Sequence, residues 1–233
     1  MAGLCVLFED NHCLAVAKPA PLLTQAPAGV PSLEELAREY IRQRYQKPGR
    51  IYLGVPHRLD RPVSGVVLFT KSSKAARRLS EQFQAHTVIK RYWAILEGTP
   101  QPAEGEWDDW IRKVEGEPRA EAVTPADTGA HRARLHYRML QDSPAGSLVE
   151  LQPLTGRMHQ LRVQTALHGC PVRGDELYGA QRPFGPQAEL PRDRIIALHA
   201  RSLTFQHPIG YEAITVEAPL PDAWDELTIR DQQ

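Results

Sequence analysis

One carboxylate, Asp60, stands between Arg58 and Arg61 in the stretch "GVPHRLDRPVSGVVLFTKSS", residues 54–73. Flanking guanidinium groups lower a carboxylate's pKa and keep it ionised. An ionised, oriented carboxylate serves as nucleophile, general base or cation stabiliser. The same residues also describe a surface Arg–Asp pair, which contributes little to stability. Spacing alone leaves both readings open. A second group lies in "LQPLTGRMHQLRVQTALHG". On a helix, His159 and Arg162 are three apart and share a face, and Arg157 stands at the helix start. Arg162 sits between Leu161 and Val163, and an arginine so embedded needs a fixed anion. Asp60 is the expected partner; a solvated basic helix face is the alternative.

Two further stretches carry weaker signals. In "RGDELYG", Gly174 and Gly179 bracket a tight turn holding Asp175 and Tyr178, for which a structural capping role is expected. In "KRYWAIL", Tyr92 is either a core residue of a strand or a platform for an unstacked base, worth about 1–3 kcal/mol per base. The chain has no P-loop, no GxGxxG after a strand, no HExxH, no CxxC pair and no G-x-S-x-G elbow. No two of the nine histidines have clean metal-ligand spacing. Any activity is therefore expected to need neither cofactor nor metal.

These residues need a scaffold. A chain of 233 residues fits one large domain, or a domain with a small extension. Lys+Arg and Asp+Glu are both 28. A strongly basic chain would have argued for nucleic acid; here RNA contact requires a local basic patch. The three cysteines read as free thiols of a reducing compartment. The N-terminus lacks a basic segment followed by an apolar one, so no signal peptide is expected. No apolar run approaches the roughly 20 residues that span a bilayer. These features predict a soluble cytoplasmic protein, with a monomer as the default.

Along the chain, "LCVLFEDNHCLAVAKP" predicts two short strands joined by a polar turn. "SLEELAREYIRQRY" predicts a helix with Ser32 as N-cap and Glu35 completing a capping box. "IYLG" predicts a strand entering the Asp60 loop, and "GVVLFT" a buried strand leaving it. "SKAARRLSEQFQAH" predicts a second helix capped by Ser72 or Ser73. Residues 99–130 are rich in Pro, Gly and acid and read as a long excursion with a short hairpin around "EWDDWIRKVEGE". "RARLHYRML" and "SLVELQPL" predict a hairpin turned by "QDSPAG". A helix closed by Gly169 follows, and then the strands "IIALHARSLTF" and "AITVEAPL". Strands and helices mix without βαβ alternation. The expected class is α+β, a mixed, largely antiparallel sheet with flanking helices.

Taken in order, four stretches resemble the RluA family of RNA pseudouridine synthases: "VLFEDNHCLAVAKPAPLL", "HRLDRPVSGVVLFTKS", "LTGRMHQLRVQ" and "GCPVRGDELYG". The resemblance runs from about Leu4 to Pro219. It implies the pseudouridine synthase catalytic fold over 1–233 and an isomerase that converts a uridine of structured RNA, ribosomal or transfer, to pseudouridine. It implies that Asp60 is the catalytic aspartate, Arg162 its partner, and Tyr92 the ring that stacks on the flipped uracil. Arg58 then enters the RNA stack, and Arg157 lies near the active site or the RNA backbone. Arg77, Arg78, Lys90, Arg91 and Arg173 are candidates for backbone contacts. Lys18 belongs to the opening Lys-Pro motif.

The chain departs from the family pattern at Val63, usually Thr, and at Gln164, usually His; substrate fit is what these put in question. With motifs beginning almost at Met1, no S4 RNA-binding domain is expected. The reaction breaks the N1–C1′ bond, turns the uracil and rejoins it through C5, without redox change. Asp60 would add to C1′, stabilise a sugar cation or remove a C2′ proton; the sequence does not separate these routes. A catalytically inactive RNA-binding or assembly factor on the same scaffold is the rival. A carboxylate hydrolase is disfavoured because no second acid is paired with Asp60.

Overall fold

Cys13–Lys18 and Ser64–Thr70 are apolar at most positions rather than at alternate ones, the pattern of strands covered on both faces. In the computed structural model, which describes residues 3–144 and 146–227, they are β2 and β3. The chain divides into two compact units. Unit 1 comprises residues up to Lys90 together with Ala200–Pro221; unit 2 comprises Arg91–His199 and the stretch from Asp222.

In unit 1, β1 (Cys5–Glu9) pairs antiparallel with β2, and β2 with β3. The β1–β2 turn closes as expected: the Asp10 carboxylate accepts the N–H groups of His12 and Cys13. Strand β9 (Leu198–Gln206) lies beside β3 and pairs antiparallel with β10 (Ala213–Glu217). Helix α1 (Leu33–Tyr45) starts at Ser32, whose hydroxyl accepts the Glu35 N–H, and helix α2 (Ser73–Gln84) starts at Ser72 in the same way. Leu79 of α2 joins Cys13, Ala15, Val66, Leu68 and Phe205 in one core cluster.

Gly65 explains the Ser-Gly pair that follows the Asp60 loop. Its φ is 120°, and a Cβ there would sit on the Ala200 backbone. Only glycine allows the start of β3 to run so close to β9.

Unit 2 holds the strand order β4-β8-β7-β5-β6. These are Ile89–Leu96, Ser147–Pro153, His131–Gln141, Glu104–Lys113 and Ala120–Val123, and all four described pairings are antiparallel. Helix α3 (Gln160–Leu167) buries Val163 against Ile111, Ala120 and Ala133.

The mixed, largely antiparallel class is as expected, and three elements differ in detail. Residues 51–54 form no strand; their pairing is a single bridge, Gly54 to Thr70. The 99–130 excursion contains the hairpin, as β5 with β6, and is tied into the sheet because Glu104–Ile111 of β5 pair with β7, with Asp108 facing Arg134 and Trp110 facing Arg132. Helix α3 is shorter than its periodicity suggests, because His159 adopts a left-handed φ of 51° and the helix begins only after it. Gly169, at φ 73°, ends it as expected. No helix among the described residues is long and apolar enough to cross a membrane.

Candidate active site

The Asp60 loop of unit 1 has no regular secondary structure, so its geometry depends on individual hydrogen bonds. The Val63 N–H donates to the Asp60 carbonyl at 3.1 Å and closes a turn. On the N-terminal side, buried Thr24 holds Leu59 twice. Its Oγ1 donates to the Leu59 carbonyl at 2.9 Å and accepts the Leu59 N–H at 3.1 Å. On the C-terminal side, the Lys18 ammonium donates to the Arg61 carbonyl at 3.2 Å. It also donates to Leu22 and Pro19 carbonyls at 2.6 and 3.1 Å. Asp60 itself is half-buried, and Arg58 is exposed. Both peptide neighbours of the acid are thus pinned by buried side chains from the strand end and loop at residues 18–24.

Two titratable groups support this loop from within unit 1. Lys18 is 1% exposed. Burial pulls its pKa down, Asp60 pulls it back up and Arg61 lowers it again, leaving it at about 7. His57, three residues before Asp60, stacks on Phe83 at 4.7 Å, and its Nε2 accepts the Leu68 N–H at 2.9 Å. Burial, with the Lys90 charge, pushes its pKa down to about 3. His57 is therefore a neutral structural acceptor at neutral pH.

In unit 2, Arg162 is 5% exposed on α3, and the acid that grips it there is Asp175. Arg162 Nε donates to Oδ2 at 2.6 Å and Nη2 to Oδ1 at 2.7 Å, a bidentate pair. The guanidinium lies over the Tyr178 ring, 4.9 Å from its centroid. The Tyr178 hydroxyl accepts the Ala120 N–H at 3.0 Å and shares a hydrogen bond of 2.7 Å with His159 Nδ1. Asp175 and Tyr178 thus do more than cap a turn. Gln160 and Gln164 complete the network. The Gln160 Oε1 accepts from Thr155 Oγ1 and the Arg157 N–H. Fully buried Gln164 donates to Asp109 at 2.7 Å and to the Ala133 carbonyl at 3.1 Å. An amide at position 164 therefore ties α3 to β5 and β7.

Tyr92 lies on β4 opposite Leu151, partly buried. Arg157 is exposed, with Nε on the Arg132 carbonyl. Of the basic residues, Arg91 and Arg77 are exposed, and Arg77 pairs with Glu81 at 3.2 Å. Arg78 donates to the Pro208 carbonyl and covers Tyr211. Arg173 donates to the Pro183 carbonyl. Lys90 is partly buried, and burial lowers its pKa.

Asp10, Cys13 and His207 of unit 1 bring an O, S and N donor within 4.8 Å of one another. Each is already committed. The Gly210 N–H donates to His207 Nδ1, so Nε2 carries the proton and donates to Asp10 at 2.8 Å. Burial first, with the Asp10 and Glu212 charges, pushes the Cys13 thiol up to about 12. The trio is a hydrogen-bonded tie between the β1–β2 turn and the segment after β9.

The family model described as RNA pseudouridylate synthase matches residues 12–167. An uncharacterized RNA pseudouridine synthase of Zymomonas mobilis is 38% identical over 95% of this chain and 96% of its own. A ribosomal large subunit pseudouridine synthase C of Rickettsia typhi is 33% identical over 93% of this chain and 68% of its own. The solved structure of human RNA pseudouridylate synthase domain containing 4 superimposes with a TM-score of 0.78 at 24% identity, covering 96% of this chain and 93% of that one. The chain belongs to the RluA family of RNA pseudouridine synthases and is an isomerase acting on RNA.

Proposed function

We propose that this enzyme isomerises a specific uridine in structured RNA, with large-subunit ribosomal RNA as the first candidate, and that Asp60 is its catalytic carboxylate. The observation that carries the assignment is the double anchoring of the Asp60 turn, by Thr24 on Leu59 and Lys18 on Arg61. A surface Arg–Asp pair needs no such support. A reacting acid does, because a small misplacement costs large factors in rate. Relatives bearing the name ribosomal large subunit pseudouridine synthase C support the choice of RNA.

In this reading the target base leaves the stack, which costs a few kcal/mol. Arg58 fills the vacated space, and Tyr92 stacks on the extruded ring. Arg162 is the cationic partner of Asp60, and Arg157 serves the RNA near the reacting nucleotide. Arg77, Arg78, Arg91, Arg173 and Lys90 contribute backbone attraction with salt-sensitive affinity. The N1–C1′ bond breaks, the uracil turns and C5 bonds to C1′; the C5 proton goes to solvent and N1 takes one up. The enzyme acts, in this proposal, as a cytoplasmic monomer without metal or cofactor.

The test is tritium release from RNA labelled at uridine C5. Asp60→Asn is expected to abolish release while RNA binding survives. Equal release by the variant and the parent removes Asp60 from catalysis. Mapping pseudouridine in cells lacking the protein identifies the RNA, and loss of a transfer RNA site instead would overturn the ribosomal assignment.

A further inference from the structure

Lys18 is a buried cation that the reaction scheme above does not use. An ammonium has three N–H donors, and here all three meet carbonyls: Pro19, Leu22 and Arg61. Two of these lie on the segment leaving β2. The third is 43 residues away and is the carbonyl of Arg61, the residue directly after Asp60. An apolar side chain would fill the same space, so the choice of a charged group at 1% exposure requires a reason. With its donors committed and almost no accessible surface, Lys18 does not reach substrate.

We propose that Lys18 is a positioning residue for Asp60: its ammonium staples the Asp60–Arg61 turn to the end of β2 and fixes the direction in which the carboxylate is presented. This rests on the assignment of Asp60 as the reacting acid. The clamp depends on charge. A neutral amine keeps only two N–H donors for three carbonyls, and it withdraws a positive charge that Asp60 feels. The charged groups acting on the ammonium are Asp60, which favours its proton, and Arg61, which opposes it; burial also opposes it. The clamp therefore loosens as pH rises through about 7.

Two measurements decide the proposal. In enzyme carrying ¹³C-lysine, the Lys18 ε-carbon is identified by its contacts to Pro19 and Leu22 and titrated in the parent and in Asp60→Asn. Lys18 is expected to lose its proton near neutrality, well below the surface lysines, and at lower pH still in Asp60→Asn. Titration together with the surface lysines, or indifference to Asp60→Asn, overturns the coupling. Single-turnover tritium release is then followed from about pH 6 to pH 9. The parent is expected to lose rate on the alkaline side. Lys18→Met is expected to be slower by about tenfold, with RNA affinity nearly unchanged and the alkaline fall absent. A flat parent profile, or a folded Lys18→Met with the parent's rate, overturns positioning. If Lys18→Met does not fold, the parent profile and the titration still decide. A parent that releases no tritium defeats the functional assignment instead, and the titration still judges the coupling.

Discussion

The loop around Asp60 and the network around Arg162 hold their principal residues in opposite ways. In unit 1 the anchors grip the main chain: Thr24 takes both polar groups of Leu59, and Lys18 takes the carbonyl of Arg61. In unit 2 they grip the side chain itself: Asp175 takes two N–H groups along one edge of the Arg162 guanidinium, and Tyr178 covers its face. The first arrangement fixes the main chain on either side of the acid. The second fixes a charge in a nearly closed setting. Stability should therefore depend on side-chain chemistry at 162 and 175, and on backbone satisfaction around 60.

The largest effect is expected from Asp175→Asn. Breaking a buried ion pair while leaving its partner charged costs about 3–5 kcal/mol, readable by urea unfolding of the intact chain. Replacing both partners, Arg162→Met with Asp175→Leu, should restore most of that stability but no activity. A single variant as stable as the parent would mean that Arg162 draws little from Asp175.

A smaller loss, about 2 kcal/mol, is expected from Thr24→Val, which leaves the Leu59 N–H and carbonyl unpaired at nearly constant volume. Here the rate of isomerisation should fall further than stability does, with RNA affinity kept. Parallel losses would erase the contrast between the two regions.

The smallest is about 1 kcal/mol at pH 7 for His57→Phe, which keeps a ring against Phe83 but removes the acceptor of the Leu68 N–H. Its pH dependence is the sharper readout. The folded His57 pKa, about 3, lies below the unfolded value of about 6.5. The native state therefore resists a proton that the unfolded chain accepts. This contribution is fully present above the unfolded value and is lost as pH falls toward 3. The gap between parent and His57→Phe should close near pH 6 and reverse below it, because each pH unit under the unfolded value removes about 1.4 kcal/mol from the parent. A constant gap would mean that His57 takes up its proton without cost.

Local chemistry made much of the scaffold legible. Ser32 and Ser72 cap their helices through their own hydroxyls, and Asp10 turns β1 into β2, all within a few residues. The 51–54 segment misled because its apolar residues enter the core without a strand partner beyond Gly54. The length of β5 was hidden because its acids are balanced by Arg132 and Arg134 on another strand. The start of α3 was misplaced because a left-handed histidine interrupts an otherwise continuous period.

In the site, the motif pointed at Asp60 and Arg162, but not at what holds them. Thr24 acts across 35 residues, and a lone threonine carries no signal of that. Asp175 acts across 13 residues. The requirement for an anion beside Arg162 was readable; that Asp175 supplies one needed the Gly174–Gly179 turn in three dimensions.

The core of unit 1 draws on both ends of a long detour. Leu203, Phe205, Val216 and Ala218 close over Cys13, Ala15, Val66 and Leu68, yet Arg91–His199 lies between them in the chain. During translation the amino-terminal strands must wait for on the order of ten seconds before their covering residues emerge. Over that interval β2 and β3, built to be enclosed on both sides, lack the part of their cover that β9, β10 and Ala218 supply. Nascent-chain protection by a chaperone would matter most there, and the carboxy-terminal hairpin is the element that ends the exposure.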